Sequence, residues 1–583
     1  MGGTPELHEG HGRLARLRRR KVVQWGLTYA AAAWTLLQVI QFFGDTYAWP
    51  AAVPRLSGVA LPLGLPFVVV VAWFHGDRGN QRVSRLEAGT LIVLAAVSGI
   101  ALWAFASRLD ESDWTSPGSS PPTAGFVASD AASIAVLPFA NLTADKSQDY
   151  FSDGMTEEVL NLLARLPQLR VIARTSSFSF KDKNVDIATI ARTLNVANVL
   201  EGSVRRSGDT VRISVQLIRA SDSSQLWSQT FDRKLSDVFE VQDDIAGAVV
   251  AALKVRLQAD QRVTSPHRTE NPDAYNAYLR GVELFSRLTP DGFTGSVAAF
   301  RQAIALDPGF APAYAKLATA ESIAADYVDT TAAIDASRRR GLEAADRAIV
   351  LAPDLAIGYM ARGFIRMLWL YDWDGAQADL DRAVLLEPGN AEIQRSYGEL
   401  MGILGRSSES LAALNRAVEL DPLSSGTWYD LGWVYMAAGE WKQARVALAR
   451  ALEIHPDSSF VNYELGKLEL LQGRSEQALE RFRRTDSFWS VAGEAMAQHS
   501  LGDEARSQRA LRELVETYGR SAAFQTAEVY AWRGERDHAF EWLDRAHEQR
   551  DGGLCMIKAD AILATLHSDP RFAAMLKKLG LPP

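Results

Sequence analysis

Five prolines set a period on the C-terminal half of this chain. They close the fragments ALDP, VLAP, LLEP, ELDP and EIHP at positions 308, 353, 388, 422 and 456, so that the last three intervals are 35, 34 and 34 residues. A fixed period of that size describes a stack of supersecondary units, each of which buries its apolar face only against its neighbours. The clearest copy is 426–456. Gly432 and Ala444 are small where two antiparallel helices must approach closely, and Ala451 leaves room for the next unit. Pro456 ends the second helix because it has no amide hydrogen to donate.

The neighbouring copies keep these offsets. Gly398, Ala417 and Pro422 mark one, and Gly363, Ala376, Ala383 and Pro388 another. Leu465, Gly466, Ala478 and Phe482 mark the copy that follows the clearest one, and Phe300, Ala303 and Pro308 an upstream copy. The first interval, 45 residues, predicts an insertion of about 11 residues near 324–338 and hence a lengthened helix pair. Degenerate copies follow at 494–518 and 523–546. With Trp428, Leu431, Gly432, Tyr435, Ala444, Leu448, Ala451 and Pro456 at their offsets, the array resembles the tetratricopeptide repeat (TPR). The resemblance implies an all-α solenoid of seven or eight helix pairs over 272–547. A C-terminal capping segment, 548–583, would close it, and its concave face would take up a protein or peptide ligand.

The other end of the chain reads differently. The stretches 22–43, 56–74 and 88–106 carry no charge over about the 20 residues that a bilayer crossing takes. Pro62 and Pro66 predict a kink in the second. The first 108 residues hold 11 Lys and Arg against 5 Asp and Glu, whereas the remainder holds 51 against 65. Arg13, Arg16, Arg18, Arg19, Arg20 and Lys21 precede the first stretch, and Arg78, Arg82 and Arg85 separate the second from the third. Basic flanks mark the cytoplasmic side. The expectation is a basic cytoplasmic tail over 1–21 and a three-span anchor in the lipid bilayer over 22–108. It places the protein in a bacterial inner membrane as a multi-pass protein, N-terminus cytoplasmic and C-terminal domains periplasmic. A Ser/Pro/Gly-rich linker, 109–132, contains SPGSSPPTAG and has little to bury.

Between linker and repeats, periods of 2 and 3.6 alternate. SIAVLPF (133–139), LRVIA (169–173) and the stretches 199–205, 211–218 and 225–233 read as strands. Met155, Val159, Leu162, Leu163 and Leu166 are spaced for a helix over 150–166, and 187–194 and 238–257 read as two more. Ser207-Gly208-Asp209 reads as a hairpin turn. This order predicts a small α/β sandwich over 133–260. Its wording, SIAVLPFANLTADKSQDYFSDGMTEEVLNLLARLPQLRVIARTSSF with NVLEGSVRRSGDTVRISVQLI, resembles the TolB amino-terminal-like (FlgO-like) domain of bacterial envelope proteins. The resemblance implies an envelope location and supplies no catalytic residues. Some proteins of this kind carry an output domain ahead of the span; with about 21 residues before the first stretch, none is expected here.

The expected fold class is therefore multi-domain: three transmembrane helices, a small α/β sandwich domain, then an all-α TPR solenoid. No HExxH, P-loop or GxSxG pattern occurs, and nine histidines are scattered. A single cysteine, Cys555, builds neither an intrachain disulfide nor a thiolate metal site. Asp145, Asp149 and Asp153 suit the start of a helix, whose dipole favours acids, and Arg174, Lys181 and Lys183 suit a solvated edge. No catalytic, cofactor-binding or metal site is expected. The acidic remainder of the chain repels phosphates, which argues against nucleic acid as a partner. Trp369, Tyr371, Trp373, Trp428, Trp433 and Trp441 cluster in the middle repeats. First-helix positions between the packing residues are assigned to the peptide: Tyr429, Asp430 and Trp433 in the clearest copy, Arg395 and Glu399 before it, and Tyr463, Glu464 and Lys467 after it. The function read from the sequence is a non-enzymatic, membrane-anchored periplasmic scaffold for protein–protein interaction. Its alternative is a sensor or receptor subunit of a transmembrane signalling system whose output domain is on another chain.

Overall fold

A computed structural model describes residues 22–46, 52–75, 85–106, 132–143, 145–234, 237–255, 267–327 and 331–582. Two units separate, 1–127 and 128–583. The expected tail 1–21 and nearly all of the expected linker 109–132 lie outside the described residues.

The first unit contains helices α1 (Val22–Thr46), α2 (Ala52–His75) and α3 (Arg85–Ala106). The Tyr29 hydroxyl of α1 donates to the Leu61 carbonyl of α2 at 2.7 Å. These helices stand where the three spans were expected, and the expectation is corrected: among the described residues, no helix is long and apolar enough to cross a membrane. A crossing needs a run of about 20 predominantly apolar residues, and none of the helices meets the joint requirement of length and apolarity over its described residues. The three-transmembrane-helix fold class and the multi-pass inner-membrane location with periplasmic C-terminal domains are therefore withdrawn.

In the second unit, strands β1 (Ser133–Val136), β2 (Ala140–Asn141), β3 (Arg170–Val171), β4 (Asn198–Ser207), β5 (Thr210–Arg219) and β6 (Ser224–Lys234) form one mixed sheet. Its order is β3-β1-β4-β5-β6, with β2 added alongside β4. β1 runs parallel to β3 and β4, whereas β4, β5 and β6 form an antiparallel meander. The β4–β5 turn closes on Gly208, at φ +60°, a conformation glycine adopts without steric cost. Period-2 patterning works as expected in β5, where Val211, Ile213, Val215 and Leu217 are buried. Helices α4 (Asp149–Ala164), α5 (Arg174–Phe178), α6 (Ile187–Leu194) and α7 (Val238–Ala252) complete this part. Phe151, Met155, Val159 and Leu163 of α4 join Ile245 and Val249 of α7 in the core.

Eight antiparallel helix pairs follow among the described residues: α8 (Pro272–Ser286) with α9 (Pro290–Leu306), α10 (Ala311–Ala324) with α11 (Thr331–Leu351), α12 (Ala356–Ile365) with α13 (Trp373–Leu386), α14 (Ala391–Ile403) with α15 (Ser407–Leu420), α16 (Ser425–Ala437) with α17 (Trp441–Ile454), α18 (Ser459–Leu471) with α19 (Ser475–Phe482), α20 (Ser487–Ser500) with α21 (Glu504–Tyr518), and α22 (Ala523–Trp532) with α23 (Arg536–Gln549). The 45-residue interval resolves into α11, which is 21 residues long. Repeating caps start the first helices. The side chains of Asn390, Ser424 and Ser458 accept from backbone amides two or three residues on. The small residues act where the period put them: a Cβ at Gly398 would come within 2.7 Å of Leu414, and one at Gly432 would strike Leu448.

Sheet and solenoid share one apolar core, which runs from Ile134 through Tyr275 and Phe300 to Trp369. Their polar seam is specific. Ala173 N donates to the Leu420 carbonyl at 2.7 Å, and Ser176 N donates to Asp421 Oδ1 at 3.0 Å. The chain after α23 forms two short 3₁₀ turns, Gly552–Met556 and Leu563–Leu566, and then α24 (Pro570–Lys578).

Candidate functional site

In a stack of helix pairs the first helices line the concave face. Here those helices are met by the chain's own C-terminal segment, Asp551 to Leu581. Asp551 accepts from Phe524 N of α22 at 3.1 Å. Lys558 Nζ donates to the Leu404 carbonyl, just beyond α14, at 3.4 Å and to the Pro582 carbonyl at 3.0 Å. The Trp373 indole donates to the Leu579 carbonyl at 2.7 Å. Leu554, Ile557, Leu563 and Leu566 pack in one cluster with Met401, Leu431, Val434 and Phe524.

The polar centre of this contact is Lys467 on α18. Its ammonium donates to Asp560 Oδ2 at 2.5 Å, Glu528 Oε1 at 2.8 Å and Glu464 Oε1 at 3.0 Å. The Tyr463 hydroxyl donates to Glu528 Oε2 at 3.0 Å. Asp560 Oδ1 accepts from Ile562 N and Leu563 N, which fixes the turn that presents its other oxygen to Lys467. Lys467, Glu528 and Asp560 are all buried. Burial raises Glu528 well above the carboxylate range, and Asp560 adds to this. Asp560 is lowered although burial opposes it, because Lys467 faces it. Lys467 is itself raised; burial works against its charge and is outweighed by Asp560, Glu464 and Glu528. In this cluster Lys467 favours the charged form of Asp560, while burial favours the neutral form of Glu528.

The structure divides the eight residues assigned to a peptide. Tyr463, Glu464 and Lys467 belong to the buried cluster just described. Trp433 is buried, with its indole donating to Asp430 Oδ1 at 3.2 Å, and its ring lies where a Cβ at Gly402 would go. Asp430 is buried and accepts from Arg395 Nε at 2.6 Å. Arg395, Glu399 and Tyr429 remain partly accessible. Burial, with Asp430 beside it, pushes Glu399 up to about 7.

Three exposed or half-exposed aromatics escaped the sequence reading. Phe460 of α18 is 57% exposed. It meets Tyr429 of α16 edge-on at 6.4 Å and Trp489 of α20 at 5.3 Å, and Phe488 packs on Trp489 at 4.6 Å. The available signal was position: Phe460 follows its capping serines directly, ahead of the packing offsets. Of the other middle-repeat aromatics, Trp369 donates to Ser322 Oγ at 3.0 Å and Trp428 to the Pro422 carbonyl at 3.0 Å.

The α/β part holds a cavity of about 850 Å³ beyond the carboxyl end of β1, lined by Pro138, Asn141, Lys146, Asp153, Lys181 and Lys183 among others. Lys181 pairs with Asp153 at 2.6 Å, and Arg174 with Glu157 at 2.9 Å. Asp149 accepts from Asn141 Nδ2 at 2.7 Å.

Comparison with known proteins agrees on the repeats. The tetratricopeptide repeat family matches residues 403–459. Residues 129–248 match the family described as HilA/YgeH-like transcriptional regulator, second domain. The protein named "Putative adenylate cyclase 3" of Rhizobium meliloti (strain 1021) is 39% identical over 186 residues, 32% of each chain. The chain thus spans about a third of that relative's length. Among solved structures, PilW, a type IV pilus biogenesis factor, is 20% identical, with 35% of this chain and 94% of that chain covered and a TM-score of 0.30. YrrB, a TPR protein with an unusual peptide-binding site, is 20% identical, with 37% and 99% covered and a TM-score of 0.25. The C-terminal half is a TPR array, a class that serves as a protein–protein interaction scaffold.

Proposed function

We propose that this chain is a non-enzymatic scaffold that takes up an extended partner polypeptide along the concave face of its repeats. The observation that carries the reading is the aromatic ladder Tyr429–Phe460–Trp489, which crosses three successive first helices with Phe460 largely in solvent. Exposed aromatics flanked by charged groups such as Arg395 and Glu399 are what anchors a peptide with varied side chains. The working division is an α/β domain over 133–260, which we read as TolB amino-terminal-like, a solenoid over 272–547 and a capping segment over 548–583. Tyr429, Asp430, Trp433, Arg395, Glu399, Tyr463, Glu464 and Lys467 remain the proposed peptide-binding set, with Phe460 and Trp489 added. To test it, a partner recovered by affinity capture is titrated against the full chain and its Phe460→Ala variant. Removal of an aromatic anchor weakens binding by about 2 kcal/mol, or tenfold and more. Unchanged affinity in Phe460→Ala, together with loss of binding in a cavity variant such as Lys181→Glu, would transfer the site to the α/β domain.

A second reading is favoured by one observation, the similarity to a protein named as an adenylate cyclase. In it the chain is a signal-sensing subunit whose output lies on another chain, and the cavity beyond β1 takes the signal. Strand order turns at β1, with β3 on one side and β4 on the other, and ligands of α/β sheets bind beyond strand ends at such points.

A further inference from the structure

The C-terminal segment does not extend the stack. A cap in line with the array would lie against the last pair, α22 and α23. The segment does touch that pair, through Asp551 on Phe524 N, Arg571 on Asp537 and Lys578 on Asp544, but its contacts also reach back to Leu404 beyond α14 and to Lys467 of α18, and Trp373 meets its far end. The groove residues that hold it include Tyr463, Glu464, Lys467 and Trp433, the same positions that repeat geometry assigns to a ligand. The segment also has little regular structure before α24. It leaves α23 through Arg550 at φ +53°, and the turn that follows is fixed by Asp551, which accepts from Phe524 N and Gly553 N. Among the described residues its buried ionic tie to the repeats is Asp560 on Lys467, and that tie is made from a turn that carries its own backbone donors.

We propose that residues 551–581 are an intramolecular occupant of the partner site, and that a partner enters by displacing them. The inference rests on the scaffold reading above and adds the chemistry of the partner: a carboxylate for Lys467 followed by aliphatic residues, as in Asp560-Ala561-Ile562-Leu563. A tethered occupant competes at an effective concentration of about millimolar, so the groove rejects weak ligands and opens to a partner that binds better than its own tail. When the segment leaves, Lys467, Glu464 and Glu528 meet water, which lowers the cost of baring charges that were buried beneath it.

Cys555 provides the readout. It is the single cysteine of the chain, it lies in the segment, and it is buried. The experiment measures the rate at which a thiol reagent labels Cys555 in the full chain, while circular dichroism follows the helices. The probe is a synthetic peptide copying residues 556–570, which has no cysteine, added up to about 1 mM. The expected result is a saturable acceleration of labelling by at least tenfold with helicity unchanged, and none with a peptide carrying Asp560→Lys. Asp560→Asn in the full chain should accelerate labelling without any peptide. Labelling that ignores the peptide and rises only across the global unfolding transition would overturn the proposal and make the segment a fixed cap. The two readings fail separately. Protected Cys555 with partner crosslinking retained overturns displacement alone, whereas peptide-driven labelling without partner crosslinking supports displacement and overturns the scaffold reading.

Discussion

Lys467 and Asp560 are 93 residues apart in sequence, and the ammonium of one lies 2.5 Å from the carboxylate of the other. Glu528, held by the same ammonium, is raised by burial above its ordinary carboxylate value, so between the unfolded and folded values the folded chain binds more protons than the unfolded chain. A carboxyl raised in this way contributes stability at low pH that is lost as pH rises through the folded value. Asp560, Lys467 and Tyr463 face Glu528, and Glu464 shares its Lys467 partner. Glu528→Gln mimics the neutral acid. It should flatten the decline of the thermal midpoint that sets in as pH rises above the ordinary carboxylate value. A decline as steep as in the parent chain would contradict the raised carboxyl.

A second titration belongs to the seam between sheet and solenoid. Burial pushes Asp421 up to about 6, against the lowering by its Ser176 donors. Between about pH 4 and 6 the folded state therefore binds more protons than the unfolded state, and stability falls as pH rises, by up to about 3 kcal/mol. Asp421→Asn still accepts from Ser176 N and Oγ and should remove that slope. The check is a series of urea midpoints across this window. Parallel slopes for parent and variant would refute it.

Two glycines should respond to alanine with opposite signs. A Cβ at Gly432 strikes Leu448, an overpacking that costs about 1–3 kcal/mol. A Cβ at Gly247, inside α7, meets nothing within 4 Å, and there alanine gains about 0.5–1 kcal/mol of helix propensity. Thermal unfolding of both variants measures the contrast. A Gly432→Ala chain as stable as the parent would mean that the helix pair is looser than the 34-residue pattern requires.

What the sequence could show follows from what repeats. Gly432 and Leu448, or Gly398 and Leu414, were legible because the same contact recurs every 34 residues and leaves a pattern. The strands were legible because β5 alternates cleanly. The Lys467–Asp560 contact was not, since a segment that doubles back into a groove has no period and its partners lie on five different helix pairs. Trp433 and Tyr463 were assigned to the groove from their offsets. The offsets are on its lining, but what covers the lining depends on Asp560 and Phe524, which no offset relates to them. The membrane expectation rested on uncharged stretches and their basic flanks; among the described residues no helix is long and apolar enough to cross a membrane.

The scaffold reading is tested most directly by a photo-crosslinking residue placed at Phe460, compared with one at Val446. Both side chains are exposed, at 57% and 42%, but Phe460 is on the first helix of its pair and Val446 on the second helix of the preceding pair, α17. Irradiated in its own cells, the chain with the probe at 460 should give a discrete higher-mass adduct with another polypeptide, and the chain with the probe at 446 should not. No adduct from 460, or equal adducts from both positions, would contradict a partner site on the concave face.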